Sequence, residues 1–245
     1  MKAMIFAAGM GTRLKPLTDT IPKALVKVNG ETLLEITLKR LKKFGFNQII
    51  VNVHHFAGQI IDFLQINQNF GMEVCISDES GQLLDTGGGL MKASYFFDDN
   101  KAFLVHNVDV ISGIDICGMY KHHGSSGNMV TLAVKTRNTE RQLLFTDEGF
   151  LCGRIDGKAV LKSFVKETVS FKPYAFSGIH VINPGLFRLT SRTGSFSLID
   201  LYLELSENCK IGAYIHEKDE WLDVGKPLSL EQAGIIIHKI NTQHQ

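Results

Sequence analysis

The chain has 245 residues with 44% hydrophobic content, the range of one large α/β domain with an ample core. Its 26 Lys and Arg against 25 Asp and Glu leave a formal charge of +1, which excludes a global field for nucleic acid or anionic membrane and confines cationic chemistry to local sites. Cys75, Cys117, Cys152 and Cys209 are scattered without CxxC spacing, and neither a signal peptide nor a run of roughly 18 apolar residues stands out, so reduced thiols in a soluble, cytoplasmic protein are expected.

Met4, Ile5, Phe6 and Ala7 read as a strand buried on both faces that runs into a turn at Gly9 and Gly11. The apolar stripe Leu33, Leu34, Ile36, Leu38, Leu41 and Phe44 predicts a helix ended by Gly45, and Gln48 to Val53 a second buried strand. Phe56 to Ile66 reads as helix, Met72 to Ile76 as strand, Leu90 to Phe97 as helix, and Ala102 to His106 as a strand ending at Asn107-Val108-Asp109. Such alternation predicts a parallel sheet with right-handed crossovers. Its ligands sit at the carboxyl ends of the strands, where the glycine turn and Asp109 would lie.

From about residue 129 the pattern becomes strand-rich: Val130 to Val134, Leu143 to Phe145, Leu151 to Ile155, Val160 to Phe164 and Ala175 to Val181, with a turn at Asp156-Gly157. Helical patterns return at Pro184 to Leu189, Leu198 to Leu205 and Leu228 to Ile240, the last two flanking a strand at Ile211 to Ile215 and the segment Trp221 to Gly225. The expected fold is a Rossmann-like, three-layer α/β/α domain with a mostly parallel mixed sheet and an antiparallel hairpin region in its second half. It is read as one domain over 1–245 with halves 1–128 and 129–245. His54-His55 follows a strand and reads as surface or hydrogen-bonded rather than catalytic, and His122-His123, ahead of a Gly-Ser stretch, as loop surface.

The residues with chemistry begin at the first turn. Gly9 and Gly11 have no Cβ to keep a ligand from the backbone N–H groups, Arg13 offers a planar guanidinium fork, and Lys23, after Pro22, a mobile point charge. Together they make an anion trap suited to a polyphosphate. A dinucleotide fingerprint would need a third glycine where Leu14 stands, and a P-loop would need GxxxxGK followed by Ser or Thr, which is absent. The chain carries AAGMGTRLKPLT followed by IPKAL instead.

That stretch resembles the signature of the sugar-1-phosphate nucleotidyltransferases, close to GxGTRxxPLT followed by PKxL. Further points of resemblance follow in order: Leu84 to Gly89 as a second nucleotide loop, Asn107-Val108-Asp109 as a metal motif, Phe176-Ser177-Gly178-Ile179 as a sugar-binding strand, and Trp221 to Gly225 with a second metal aspartate. Within the family the pattern is most similar to uridylyltransferases that act on N-acetylmuramate 1-phosphate in cell-wall recycling. Mannose- and heptose-phosphate guanylyltransferases share much of it. Val108 stands where the family usually has glycine; a strand-end valine needs no unusual dihedral, so a slightly reshaped sugar pocket is expected.

The resemblance implies attack by a sugar-1-phosphate oxygen on the α-phosphorus of a nucleoside triphosphate, with Mg2+ as cofactor. It makes Arg13, Lys23 and Asp109 catalytic, with Asp109 and Asp223 on the metal. It implies nucleotide contacts from Ala8, Gly9, Gly11, Thr12, Arg13, Lys23, Glu79 and Gly88, with Glu79 or neighbouring main chain reading the uracil edge. Asn107, Ser177 and Gly178 would meet the sugar phosphate, and the choice of sugar would lie with Arg141-Gln142 and Glu167. Asp85 reads equally well as a helix N-cap. A catalytically silent sugar-nucleotide-binding subunit is the main alternative, and a dinucleotide-dependent oxidoreductase is disfavoured by the loop spacing. The expected partners are a nucleoside triphosphate and a sugar 1-phosphate, with neither nucleic acid nor membrane. Oligomeric state stays open, a homo-oligomer among the options.

Overall fold

The computed structural model describes residues 1–157, 159–162 and 170–243. The chain runs β1 (Lys2–Phe6), a hairpin of β2 (Lys27–Val28) and β3 (Glu31–Thr32), α1 (Leu33–Lys43), β4 (Gln48–Val53), α2 (Ala57–Ile66), β5 (Glu73–Asp78), α3 (Asp85–Lys92), β6 (Phe103–Asn107) and β7 (Val110–Ser112). It continues with α4 (Ile116–Ser126), β8 (Val130–Lys135), β9 (Arg141–Thr146), β10 (Leu151–Asp156), β11 (Ala159–Lys162), β12 (Phe171–Ile182), α5 (Leu198–Leu205), β13 (Ile211–Ile215), β14 (Trp221–Asp223) and α6 (Pro227–Gln243). Parallel ladders in the first half and antiparallel hairpins in the second make this a Rossmann-like α/β fold. Residues 163 and 164 of the strand expected over Val160 to Phe164, and Glu167, lie outside the described residues.

Two compact units interleave along the sequence. Unit 1 takes residues 1–84, 105–114 and the chain from Asp219 onward. In it β1 pairs parallel with β4 from Lys2↔Gln48 to Phe6↔Asn52, and β4 pairs parallel with β5. Ala3, Met4 and Ile5 are fully buried, as a central strand requires. The end of β6 lies beside β1 on the side away from β4, with Val108 N–H donating to Phe6 O at 3.1 Å. The strand order therefore reverses at β1, the crevice position where doubly wound sheets take their ligands.

Local chemistry explains the framing elements of unit 1. Asn29 and Gly30, at φ 51° and 89°, close the β2–β3 hairpin, since such a turn needs two residues tolerant of positive φ. Thr32 caps α1 by accepting from Glu35 N–H at 3.1 Å. At the other end Gly45, at φ 81°, completes a Schellman motif: its N–H donates to Lys42 O at 2.9 Å and that of Phe46 to Leu41 O at 3.0 Å. Between the caps, Leu33, Leu34, Leu38 and Leu41 are buried as the stripe predicts.

Unit 2 takes 85–104 and 115–218. Its long strand β12 pairs antiparallel with β8 through Ala175↔Lys135 to Ile182↔Val130 and with β9 through Phe171↔Thr146 to Tyr174↔Leu143. β9, β10 and β11 form an antiparallel meander, and β13 lies parallel to β8.

Two local expectations are corrected in unit 2. The helix expected over Leu90 to Phe97 starts at Asp85 and contains Gly87, Gly88 and Gly89, with a separate 3-10 turn at Ser94–Phe96. Three glycines cost a helix about 1 kcal/mol each, and tertiary packing offsets that here. A Cβ on Gly87 would lie 2.3 Å from the Phe196 ring, while Gly87 N–H donates to Phe196 O at 2.8 Å. The second correction concerns His122-His123, which lie on α4 and not on a loop. Asp115 caps this helix through Gly118 N–H at 2.9 Å, Gly127 at φ 67° follows its end, and Ile116, Met119 and His123 form its buried face.

All four cysteines are free, and Cys152 is buried. Among the described residues no helix is long and apolar enough to cross a membrane.

Candidate active site

β1 ends at Phe6, and the next N–H, that of Ala7, donates to Asn52 Oδ1 at 2.7 Å, anchoring the start of the glycine turn to the end of β4. Gly9 is exposed, and a Cβ placed on it would meet nothing within 4 Å; packing within the protein does not demand this glycine, and the absent side chain leaves the backbone open. Gly11 differs. It sits at φ 66°, where a Cβ would meet Thr18 Cγ2 at 2.9 Å, and its carbonyl accepts from Leu14 N–H at 2.9 Å and Thr18 Oγ1 at 2.8 Å. Ala8 is buried, while Thr12 and Arg13 are exposed.

Each of the two cations meets one of the two aspartates. Lys23 is only 8% exposed, and its Nζ forms an ion pair with Asp109 Oδ2. Arg13 Nη2 lies 3.9 Å from Asp223 Oδ2. The carboxylates come from neighbouring backbone, because β14 pairs antiparallel with β7 at Asp223↔Val110 and Val224 N–H donates to Asp109 O at 2.8 Å. Gly225 is a packing requirement of this arrangement: a Cβ there would stand 2.7 Å from Arg13 Nη2 and 2.8 Å from Asp223 Oδ1. Both clashing groups are ends of flexible side chains. Gly225→Ala should therefore fold normally yet swing Arg13 aside, raising the KM for nucleoside triphosphate about tenfold, the worth of one charge-assisted hydrogen bond. Unchanged KM with an unchanged melting temperature would count against a phosphate role for Arg13.

Asn107 is half-buried, and Val108 is buried with no left-handed dihedral, so the valine in the metal motif needs no glycine-like backbone. The preceding His106 is buried; its Nδ1 lies 2.7 Å from Asn107 O and donates to it, since a carbonyl only accepts. Burial pushes the His106 pKa down to about 4, so the ring is neutral. His54 and His55 are half-buried after β4.

Glu79, expected beside the nucleobase, is 1% exposed with both oxygens engaged inside the protein: Asn52 Nδ2 donates to Oε1 at 2.7 Å and Leu84 N–H to Oε2 at 3.2 Å. Asn52 was not singled out from the sequence. A polar residue inside the apolar run QIIVNV was the available sign.

In unit 2, Gly88 is buried within α3. Ser177 and Gly178 form a bulge in β12: the register passes from Phe176↔Val134 to His180↔Leu132, and Gly178 takes φ 74°. Ser177 is fully buried, with Oγ 2.7 Å from His216 Nε2. Arg137 Nη2 donates to Phe176 O at 2.6 Å, tying the bulge at its other side. Burial, then the nearby charges of Lys135 and Arg137, holds the His216 pKa down to about 4. Neither His216 nor Arg137 was marked by any motif. Arg141 is exposed and lies 3.7 Å from Asp156, and Gln142 Nε2 donates to Arg137 O at 3.2 Å.

Comparison with known proteins shows the family and the fold. UTP--glucose-1-phosphate uridylyltransferase of Synechocystis sp. is 31% identical over 98% of this chain and 64% of its own length, so the chain spans slightly under two thirds of that relative. N-acetylmuramate alpha-1-phosphate uridylyltransferase of Caulobacter vibrioides is 32% identical over 92% of both chains. Among solved structures, HddC from Yersinia pseudotuberculosis complexed with GMP-PN superposes with a TM-score of 0.75 over 96% of this chain and 99% of that one, a likeness of fold at 20% identity. The sequence model of one family matches residues 2–239, nearly the whole chain. The chain belongs to the nucleotidyl transferase family.

Proposed function

We propose that this protein transfers a nucleotidyl group from a nucleoside triphosphate to a sugar 1-phosphate, releasing pyrophosphate, and that its substrates are UTP and N-acetylmuramate 1-phosphate, giving UDP-N-acetylmuramate. The observation that carries this reading is the gathering of two phosphate-binding cations and two carboxylates in one compact unit, Lys23 on Asp109 and Arg13 beside Asp223. The similarity to the Caulobacter protein, which extends over 92% of each chain, supports the choice of nucleotide and sugar. In this reading the protein works in the cytoplasm in cell-wall recycling, with 1–128 as nucleotide half and 129–245 as sugar-phosphate half.

The nucleophile is a phosphate oxygen that arrives ionised, so no strong general base is needed. It attacks the α-phosphorus, the bond from that phosphorus to the bridging oxygen breaks, and the electron pair leaves on pyrophosphate. Positioning and charge neutralisation then supply the catalysis. The open backbone at Gly9 and the Gly11 turn cradle the phosphates, with Ala8 and Thr12 beside them. Arg13 stabilises the β- and γ-phosphates as they depart, and Lys23 neutralises charge at the α-phosphate. Asn107 and the main chain of the Ser177-Gly178 bulge receive the sugar phosphate.

Asp109 and Asp223 fit Mg2+. They are hard oxygen donors, Asp109 immediately before β7 and Asp223 on its partner strand β14, and no third His, Cys, Asp or Glu joins them among the described residues, which suits an ion that takes its other ligands from phosphates and water. Bound there, Mg2+ would screen the charge of both reacting phosphates.

Pyrophosphate release from four nucleoside triphosphates against several sugar 1-phosphates, with Mg2+ present, tests the reading. The fastest release is expected for UTP with N-acetylmuramate 1-phosphate. A different fastest pair would reassign the substrates, and no release from any pair would defeat the proposal.

A further inference from the structure

The buried polar chain from Ala7 to Leu84 has a fixed direction. An amide N–H only donates, so Ala7 makes the Asn52 atom facing it the oxygen, at 2.7 Å, and the Asn52 nitrogen must face Glu79. Glu79 Oε1 accepts from that nitrogen at 2.7 Å while Oε2 accepts from Leu84 N–H at 3.2 Å. The backbone of Glu79 is held as well: its N–H donates to Val53 O at 2.7 Å and its carbonyl accepts from Gln82 N–H at 2.9 Å. Asn52 and Glu79 are 2% and 1% exposed, so water cannot replace a lost bond at little cost.

We propose that Asn52 and Glu79 are positioning residues, a polarity-locked relay that fixes the glycine turn to the loop over 80–84 and so sets nucleotide affinity without either side chain touching the nucleotide. The inference rests on the reading that these two loops hold the nucleoside triphosphate. It assigns the Glu79 carboxylate to the loop and leaves recognition of the base to other groups.

The geometry makes a carboxylate at position 79 necessary and also shows how to dispense with it. In Glu79→Gln the side chain has one acceptor and one donor, but the relay presents it with two donors, from Asn52 and Leu84. Either amide orientation sets N–H against N–H, and turning Asn52 around moves the conflict to Ala7. Adding Asn52→Asp removes it. The carboxylate introduced at position 52 accepts from Ala7 N–H and from the amide introduced at position 79, whose oxygen accepts from Leu84 N–H. The double variant N52D/E79Q thus restores every bond with unchanged net charge.

The test measures amide hydrogen exchange over 80–84 in the nucleotide-free protein, together with KM and kcat for each substrate. E79Q should exchange there at least tenfold faster and show an approximately tenfold higher KM for UTP, with the KM for sugar 1-phosphate and the ratio of UTP to other nucleoside triphosphates unchanged. N52D/E79Q should return exchange and KM to within about threefold of wild type, which simple loss of packing could not produce, and it remains informative if E79Q alone fails to fold. Wild-type exchange in E79Q, a double variant no better than E79Q, or an altered nucleotide preference in E79Q would each overturn the relay. Failure of the wild-type protein to bind any nucleoside triphosphate would instead defeat the functional reading beneath it.

Discussion

Asp109→Asn and Asp223→Asn are expected each to lower turnover by roughly 10²- to 10³-fold, the loss typical when one charged group that stabilises a transition state is removed. The two variants should separate in stability. Lys23 and Asp109 form a close pair whose side chains are only 10% and 20% exposed, so Asp109→Asn leaves a nearly buried ammonium without its counter-charge. That should cost roughly 1–3 kcal/mol, below the figure for a fully buried pair because Asp109 keeps some contact with water. Arg13 and Asp223 are 58% and 41% exposed at 3.9 Å, a pair that contributes little to folding, so Asp223→Asn should melt like wild type. Turnover with a Mg2+ titration, and thermal melts of the same samples, check both parts. Near-normal turnover in both variants would remove the metal site, and equal melting temperatures would remove the distinction between the pairs.

Acid should destabilise the protein as pH falls below about 6.5. Burial lowers the pKa of His106, His123 and His216 from 6.5 to about 4 each. Where the folded pKa lies below the unfolded one, the unfolded chain binds the extra proton. All three residues are neutral in both states above pH 6.5, and stability is then lost as pH falls from 6.5 towards 4. At about 1.4 kcal/mol per pKa unit, each histidine withdraws on the order of 2 kcal/mol across that window. The melting temperature should therefore fall steeply below about pH 6.5. His123→Gln, which removes one titrating ring hydrogen-bonded to Thr131 Oγ1 at 2.9 Å, should flatten the slope. A melting temperature level from about pH 7 to about pH 4.5 would contradict the burial of these rings.

The elements that could be read from the sequence are those whose own residues decide them. Gln48–Val53 is a strand buried from Ile49 onward, Ile211–Ile215 a short β-branched and aromatic strand, and Leu198–Leu205 a short amphipathic helix; all three appear with the bounds their patterns predict. α4 was hidden because His122, His123, Gly124 and two serines resemble a loop, although Ile116, Met119 and His123 recur on one helical face between Asp115 and Gly127. α3 was misplaced because glycines signal turns, and only Phe196, over a hundred positions later, makes Gly87 a packing residue. In the candidate site, the types of Arg13 and Lys23 suggested a phosphate site, and the resemblance assigned Asp109 and Asp223 to a metal. Their pairing was not legible, since Lys23 and Asp109 are 86 positions apart and only the reversal of strand order at β1 joins them. Glu79 shows the converse: the resemblance implied a nucleobase contact, while a single sequence gives no sign that its carboxylate is buried and accepts from Asn52 Nδ2 and Leu84 N–H.

Unit 1 is assembled from three separated stretches of chain, and this sets a schedule for biosynthesis. β1, β4 and β5 can pair as soon as they emerge from the ribosome, but β7 must wait for β14 across the intervening residues of unit 2. A contact of such sequence separation forms late and slowly. Arg13 is therefore made well before Asp223, and a nascent chain that has not yet reached Asp223 carries the glycine turn without its second carboxylate. Full assembly of the reactive cluster is thereby tied to synthesis of the chain beyond Asp223.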